Sequence, residues 1–403
     1  MTKNMFTMIL VLSLFACTVN VFAEDKTSAQ TSKTEKETKK TNDDFLFRFH
    51  RTVRDGNNGK SIVVSPFGVS SIGEMLTLGA AGETKEILQK VFIPNEGQAD
   101  GRHTWYHLSD ENLENLPLTS LNGIWIQKTF PVKTSYTETL KSLFHLHVTQ
   151  ADFANHAEEC TKINAWIAEA TDQKVTKLFK TLDAQSRIVL ANVLNFQGKW
   201  AFPFDKSKTK KTKFYSSQNK TVEVSMMDHT LRLGYNKQDT YQIVTVPFEA
   251  DRCSLIVILP DKTQTLETVE QLLTEKILAS LSKNFVLQMV RCQLPAFEME
   301  SEIDLKPVLT LLGAGIAFDP QKADFTNISN KKGLGVEQCL QKVRVQIDES
   351  GVEAVSATGT VIQPKSLPVN GQTISFCADR PFLFLIQDNV SGVPLFIGRY
   401  TGQ

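Results

Sequence analysis

The familiar signatures of an enzyme are missing from these 403 residues. No G-x-S-x-G elbow lifts a nucleophilic serine above a sheet, no H-E-x-x-H pair grips a catalytic metal, and no G-x-G-x-x-G turn cradles a dinucleotide. The chain is therefore not expected to be an enzyme or to need a cofactor or metal, and an exported hydrolase remains only a distant alternative. An excess of one charge is missing as well. Lys+Arg and Asp+Glu both number 44, so the formal net charge is zero and nothing in the balance recruits nucleic acid or an anionic membrane. Cysteine is scarce, six in all, with neither C-x-x-C nor zinc-ligand spacing. Beyond the amino terminus no stretch approaches the ~18 uncharged apolar residues of a membrane span.

Two near-motifs dissolve on inspection. "DGNNGKS" (Asp55–Ser61) ends like a phosphate loop, but Arg54 stands where the first glycine belongs and β-branched "IVVSP" follows in place of a helix. It reads as a tight turn. The histidine pairs His103/His107 and His145/His147 lack further ligands in any metal pattern and read as packed or surface imidazoles.

What is present divides the chain into three. "MTKNMFTMILVLSLFACTVNVFAED" has a basic start at Lys3, an apolar run and small residues near Ala23, the layout of a secretory signal peptide over 1–23. Export to the extracellular space follows as an expectation. Residues 24–42 are almost devoid of apolar side chains and read as a solvated tail. Order is expected over 43–403 as one domain. Cys160, Cys253, Cys292, Cys339 and Cys377 remain after the signal, an odd number whose pairing the sequence leaves open. Asn219, Asn327 and Asn389 head N-x-[ST] triplets and are candidate sugar acceptors.

Within the domain, helical spacing marks Phe45, Phe49 and Val53, then Val69–Leu78, Glu83–Phe92, Leu266–Ser282 and Leu305–Leu312. Strand-like runs include "SLNGIWI", "RIVLANVLNF", "TVEVSMM", "YQIVTVPF", "CSLIVILP", "VRCQLPAFEM", "VRVQID", "ISFCADRPFLFLI" and "PLFIGRY". Helices first and strands later, without βαβ alternation, predict an α+β fold with large mixed or antiparallel sheets. The run "DKSKTKKTK" holds Lys206, Lys208, Lys210, Lys211 and Lys213. It reads first as a solvated loop, with binding of a sulfated glycan by counterion release as the functional alternative.

Several phrases together resemble the serpin family of serine protease inhibitors. "NGKSIVVSPFGVSS", with Ser65, resembles its strand leading into the second helix; "LANVLNFQGKWAFPF" resembles its strand carrying the Asn192 and Gly198-Lys199-Trp200 signature. "VRVQIDESGVEA" resembles the hinge, "ADRPFLFLI" the strand after the reactive loop, and "PLFIGRY" the last strand. The resemblance implies helices around three β-sheets, with an exposed reactive loop over about 349–375. It also implies a monomer whose partner is a serine protease, trapped covalently when the cleaved loop inserts into the central sheet.

That implication accounts for "DESGVEAVSATGTVIQPKS" (Asp348–Ser366). A segment entering a sheet presents alternate residues to each face. One set is Val352, Ala354, Ser356, Thr358 and Thr360, small or β-branched and uncharged; the other is Glu353, Val355, Ala357, Gly359 and Val361. Charge or bulk in the packed set would oppose insertion. Gly351 supplies a pivot. With Glu349 as the hinge glutamate, the family's spacing sets the scissile bond between Lys365 and Ser366, and a lysine suits the acidic specificity pocket of a trypsin-like protease. Pro364 fixes its own φ and pushes Gln363 toward an extended shape.

Departures from the family pattern bear on efficiency. Val352 replaces a usual Thr or Ser, Val355 is larger than the usual Ala, Gly68 stands where Ser is frequent, and Gln341 where His is frequent. The segment from Ser366 to Pro381 is longer than in many members, and 93–115 lacks the basic helix with which some members bind heparin. Suicide inhibition of a trypsin-like protease is the leading expectation, and a non-inhibitory carrier or chaperone is the runner-up.

Overall fold

The computed structural model describes residues 45–92, 116–144, 147–216, 220–272, 274, 285–350 and 372–402. Helix α1 (Phe45–Gly56) buries Phe45, Leu46, Phe49 and Val53, so the expected stripe faces the core. Asn58 and Gly59 then take positive φ (51° and 72°), which makes "DGNNGKS" a tight turn into strand β1 (Ile62–Val64). Helix α2 (Pro66–Gly79) starts sharply for two reasons. Pro66 occupies a first-turn position where its missing N–H is no loss, and the Ser65 hydroxyl accepts the Gly68 N–H at 3.0 Å. Helix α3 (Gly82–Phe92) opens on Gly82, whose φ of 49° lies in the left-handed region.

Next come β2 (Leu118–Gln127), α4 (Thr134–Phe144), β3 (His147–Ala151), α5 (His156–Ala170) and β4 (Ile188–Phe196). Strands β5 (Lys210–Tyr215), β6 (Thr221–Lys237), β7 (Tyr241–Pro247) and β8 (Cys253–Pro260) lead to α6 (Leu266–Leu272). The chain continues through β9 (Val286–Pro295), β10 (Phe297–Asp304), α7 (Leu305–Leu309), β11 (Val336–Ile347), β12 (Ile374–Cys377), β13 (Phe382–Asp388) and β14 (Pro394–Tyr400).

Two of the expected runs are each two strands. "VRCQLPAFEM" breaks at Ala296, and "ISFCADRPFLFLI" breaks before Phe382, where Arg380 donates to the Pro260 carbonyl at 2.6 and 3.0 Å. The regular helix expected over Leu305–Leu312 ends at Leu309; a wider turn runs to Ala314 with Gly313 at φ 105°. Of the helix expected over Leu266–Ser282, Leu266–Leu272 is described.

Five strands form a mixed sheet in the order β10-β11-β4-β2-β3, and nine form a second in which β1-β14-β13-β8-β7-β6-β9-β12 run side by side and β5 joins the edge of β6. The nine-stranded sheet is two sheets sharing one strand. Seventeen residues long, β6 pairs with β5 and β9 over most of its length and with β7 only at its end, from Gly234 to Lys237.

Every residue of β4 is buried, because three apolar clusters meet on it. Ile188 and Leu190 join the cluster under α1–α3; Val189, Ala191 and Val193 pack toward Ile163 and Ile167 of α5; Leu194 and Phe196 join the core of the nine-stranded sheet. Each of these side chains larger than alanine contributes about 1.5–3 kcal/mol by leaving water. The five described cysteines are all free thiols. Burial pushes the Cys253 thiol up to about 12, which keeps it protonated and unreactive.

Candidate functional site at the strand seam

Strands β4 and β11 lie side by side and parallel, from Val336 against Ile188 to Val345 against Phe196. No short connection links them, since parallel neighbours need a crossover and here the chain between them includes the six strands β5–β10 and helices besides. Parallel pairing is slightly weaker per residue than antiparallel pairing. The seam is therefore a place where a further strand, antiparallel to both neighbours, would improve the sheet.

At the seam's end β11 runs directly into Asp348, Glu349 and Ser350, and these are held by the segment that follows β4. The Trp200 indole N–H donates to the Asp348 carbonyl at 2.7 Å, the Trp200 backbone N–H to the Ser350 carbonyl at 3.2 Å, and the Phe204 N–H to the Glu349 carbonyl at 2.8 Å. Ser350 closes a turn by donating its N–H to Asp348 Oδ1 at 2.8 Å. Trp200 can serve this way because its ring is fixed. It stacks on Phe248 at 4.4 Å and 7°, and Phe204 meets it edge-on at 5.8 Å. Gly198 makes that packing possible: a Cβ there would lie 2.7 Å from both Phe196 and Phe248.

Midway along the seam sits a ladder of amides, Gln341 and Asn192 fully buried and Asn122 half-buried. Gln341 and Asn192 are direct cross-strand partners, and so are Asn192 and Asn122 of β2. Gln341 Nε2 donates to Asn192 Oδ1 at 2.7 Å, and Asn192 Nδ2 donates to Asn122 Oδ1 at 2.8 Å. The same Gln341 amide embraces the backbone of Ser65, donating to its carbonyl at 2.9 Å and accepting its N–H at 3.1 Å. Ser65 in turn donates its hydroxyl to the Leu395 carbonyl at 2.7 Å. Four elements distant in sequence, the α2 cap, β2, β4 and β11, are tied at one level.

The predicted site residues fall into two groups. Ser65 and Asn192 belong to the ladder, and Trp200 and Glu349 to the root of the loop. The remaining hinge positions, Gly351, Val352, Glu353, Ala354, Val355, Ser356, Ala357 and Thr358, and the bond Lys365–Ser366 lie outside the described residues. Of the stretch 349–375, Ile374 and Ser375 already belong to β12. Asn122 escaped the sequence reading because nothing in "SLNGIWI" distinguishes it. Gln341 was noticed only as a departure.

The lysine run is not the loop first expected. Lys206–Lys208 form a single turn capped by Asp205, and Lys210, Lys211 and Lys213 lie in edge strand β5, anchored by fully buried Phe214. Charged side chains suit an exposed edge because they deter pairing with another chain. Lys208 and Lys210 share an open groove of about 520 Å³ with Asp228, His229 and Arg291. Of the sequons, Asn219 and the histidines His103, His107 and His145 lie outside the described residues. The Asn327 amide donates to the Ala80 carbonyl at 2.7 Å, and the Asn389 amide donates to the Asp251 carbonyl and the Ser254 hydroxyl, each at 2.9 Å. His147 stacks on Trp166 at 4.6 Å, as a packed imidazole.

Residues 40–402 match the family described as serpin (serine protease inhibitor). The chain belongs to the serpin family. Similar curated proteins include Serpin B8 of Homo sapiens, 30% identical over 371 residues that cover 89% of this chain and 98% of that one. Plasminogen activator inhibitor 1 of Neovison vison is 29% identical over 367 residues, covering 88% and 90%; a serine protease inhibitor of Cyanea capillata is 31% identical over 352, covering 84% and 92%. Among solved structures, native protease nexin-1 with heparin matches this serpin at TM-score 0.78 and 25% identity over 91% of this chain and 99% of that one. The thermophilic serpin tengpin in its native state shares the fold, with TM-score 0.79 at 24% identity over 89% and 92%. Family and relatives support serine protease inhibition as the activity of this serpin.

Proposed function

We propose that this serpin is a secreted suicide inhibitor of a trypsin-like serine protease, with Lys365–Ser366 as its reactive bond. One observation carries the reading: β11 runs without interruption into Glu349 and Ser350, whose carbonyls are held by Phe204 and Trp200 at the open end of the parallel β4–β11 seam. A chain that reverses there is aimed between the two strands, antiparallel to both. The uncharged set Val352, Ala354, Ser356, Thr358 and Thr360 suits the packed face.

Chemically, the protease serine oxygen adds to the Lys365 carbonyl carbon. The carbon–nitrogen bond to Ser366 breaks, the new amine leaves with a proton from the protease histidine, and Lys365 remains as an ester on the enzyme. Entry of the freed loop into the seam then carries the acyl-enzyme away before water completes the reaction. Incubation with trypsin is expected to give a complex that survives boiling in detergent and disappears in Lys365→Ala. Cleaved product alone, with no complex, would favour a carrier or chaperone, and an unchanged inhibition rate in Lys365→Ala would remove Lys365 from its role.

A further inference from the structure

The chain as a whole carries no net charge, yet one part of it does. Residues 205–237, which form β5, β6 and the turn before them, hold eight lysines and arginines against three carboxylates. From Asp228 onward β6, together with β9 and β12, buries one side and turns the other to solvent. Leu231, Leu233, Val290, Cys292 and Phe376 are buried. The residues between them alternate outward. Thr230, Arg291 and Ser375 form one row across the three strands, Arg232 stands opposite Met289, and Leu287, 60% exposed, continues the same side of β9.

Two features fit this side to a protein rather than to a sulfated glycan. Met289 has Arg232 opposite it and Arg291 two residues along its own strand, with Leu287 beyond. Apolar contacts among arginines are the composition of a protein interface. The lysines, in contrast, do not form one track, since Lys210 and Lys211 are neighbours in β5 and point to opposite sides of it. Arg291 is already engaged as well, both oxygens of Asp228 accepting from its Nε at 3.1 Å.

The same side adjoins the downstream end of the reactive loop. From Ser366 to Ile374, the first residue of β12, the chain advances eight residues, at most about 29 Å. A protease domain of about 240 residues is roughly 45 Å across. A protease holding Lys365–Ser366 is therefore tethered within its own diameter of β12. We propose that the solvent side of β6, β9 and β12, edged by basic β5, is a second contact for the target protease and selects one whose surface beside the active site is acidic. Lys210 and Arg232, both exposed, steer the encounter; Leu287 and Met289 hold the contact once it is made. The choice of a protease as occupant rests on the inhibitory function proposed for Lys365–Ser366.

Two trypsins with one specificity pocket, the first anionic and the second cationic, test this on the full chain. Both read Lys365 alike, so the ratio of their association rate constants, anionic over cationic, isolates the surface. At low salt Lys210→Glu combined with Arg232→Glu should lower the ratio about tenfold. Lys85→Glu combined with Lys90→Glu, an equal charge change on α3, should leave it as in wild type. In 1 M salt, where the Debye length is about 3 Å, the difference should vanish. Leu287→Ser should instead speed release of anionic trypsin made inert at its active serine, with association unchanged. A ratio that the Lys210/Arg232 variant does not move, with complexes still formed, overturns the surface and leaves the inhibitory function standing; if that variant then loses heparin binding, the face belongs to a sulfated glycan. Salt-dependent binding of inert anionic trypsin that the variant abolishes, without any covalent complex, keeps the surface and removes the inhibitory function. Binding of neither trypsin overturns both.

Discussion

The ladder Ser65–Gln341–Asn192–Asn122 contains no charge, whereas a second buried polar cluster consists almost wholly of charge. There α1, α6 and β14 meet through His50, Arg54, Glu267, Glu270 and Arg399. Arg54 pairs with Glu270 at 3.1 Å, Arg399 with Glu270 at 3.4 Å and with Glu267 at 2.5 Å, and Arg399 and Glu270 are almost fully buried. Charges buried this way cost much to desolvate, and separating them leaves an ion stranded in the core. Neutral amides lose only a hydrogen bond, which a new neighbour can restore. Charge is placed where α1, α6 and β14 join, and amides where the proposed mechanism requires strands to part.

Cutting the reactive bond should break the comparison open most widely. A freed loop that enters the seam adds a strand of about ten residues, each worth about 1 kcal/mol net in hydrogen bonding. A gain of about 10 kcal/mol, at roughly 2 °C per kcal/mol for a chain of this size, raises Tm by about 20 °C. Calorimetry before and after limited proteolysis at Lys365–Ser366 measures it. No rise would mean that the ladder never opens, which is the carrier reading.

Next in size is Arg399→Met, which strands Glu270 beside Arg54 alone. Its cost should be about 3–5 kcal/mol in denaturant unfolding, against about 1–3 kcal/mol for Gln341→Met. Equal costs would deny that the two clusters are built differently.

The sequence carried the strands of the seam unevenly, for physical reasons. "RIVLANVLNF" was legible because β4 is covered on both faces and hence apolar throughout. Only the last half of β11 was, since its buried set Val336, Cys339, Gln341, Val343, Val345 and Ile347 includes an amide that interrupts the alternation. The residue that hid the strand is the one that ties it. Edge strand β5, with only Phe214 buried, offered no pattern at all. Ser65, Asn192 and Trp200 came from the resemblance to serpins, and no local pattern announces that Ser65, Asn122, Asn192 and Gln341 meet. Their partners lie on separate strands, and only the register brings them to one level.

The smallest effect separates the clusters by pH. Burial, reinforced by Arg399 and Arg54, holds His50 neutral and pushes its pKa down to about 3, far below the 6.5 of a free imidazole. Between those values the unfolded chain carries a proton that the folded chain refuses, so the contribution of His50 is complete above pH 6.5 and is lost as pH falls toward 3. The slope is at most about 1.4 kcal/mol per pH unit. From pH 6.5 to 5.5, wild type should therefore lose stability by up to that amount, and His50→Gln should lose less. Asn122→Ala, which costs about 1 kcal/mol, should show the wild-type pH slope, because its loss concerns groups that do not titrate. Should Asn122→Ala flatten the slope and His50→Gln leave it intact, the acid sensitivity would belong to the seam and the contrast between the clusters would fail.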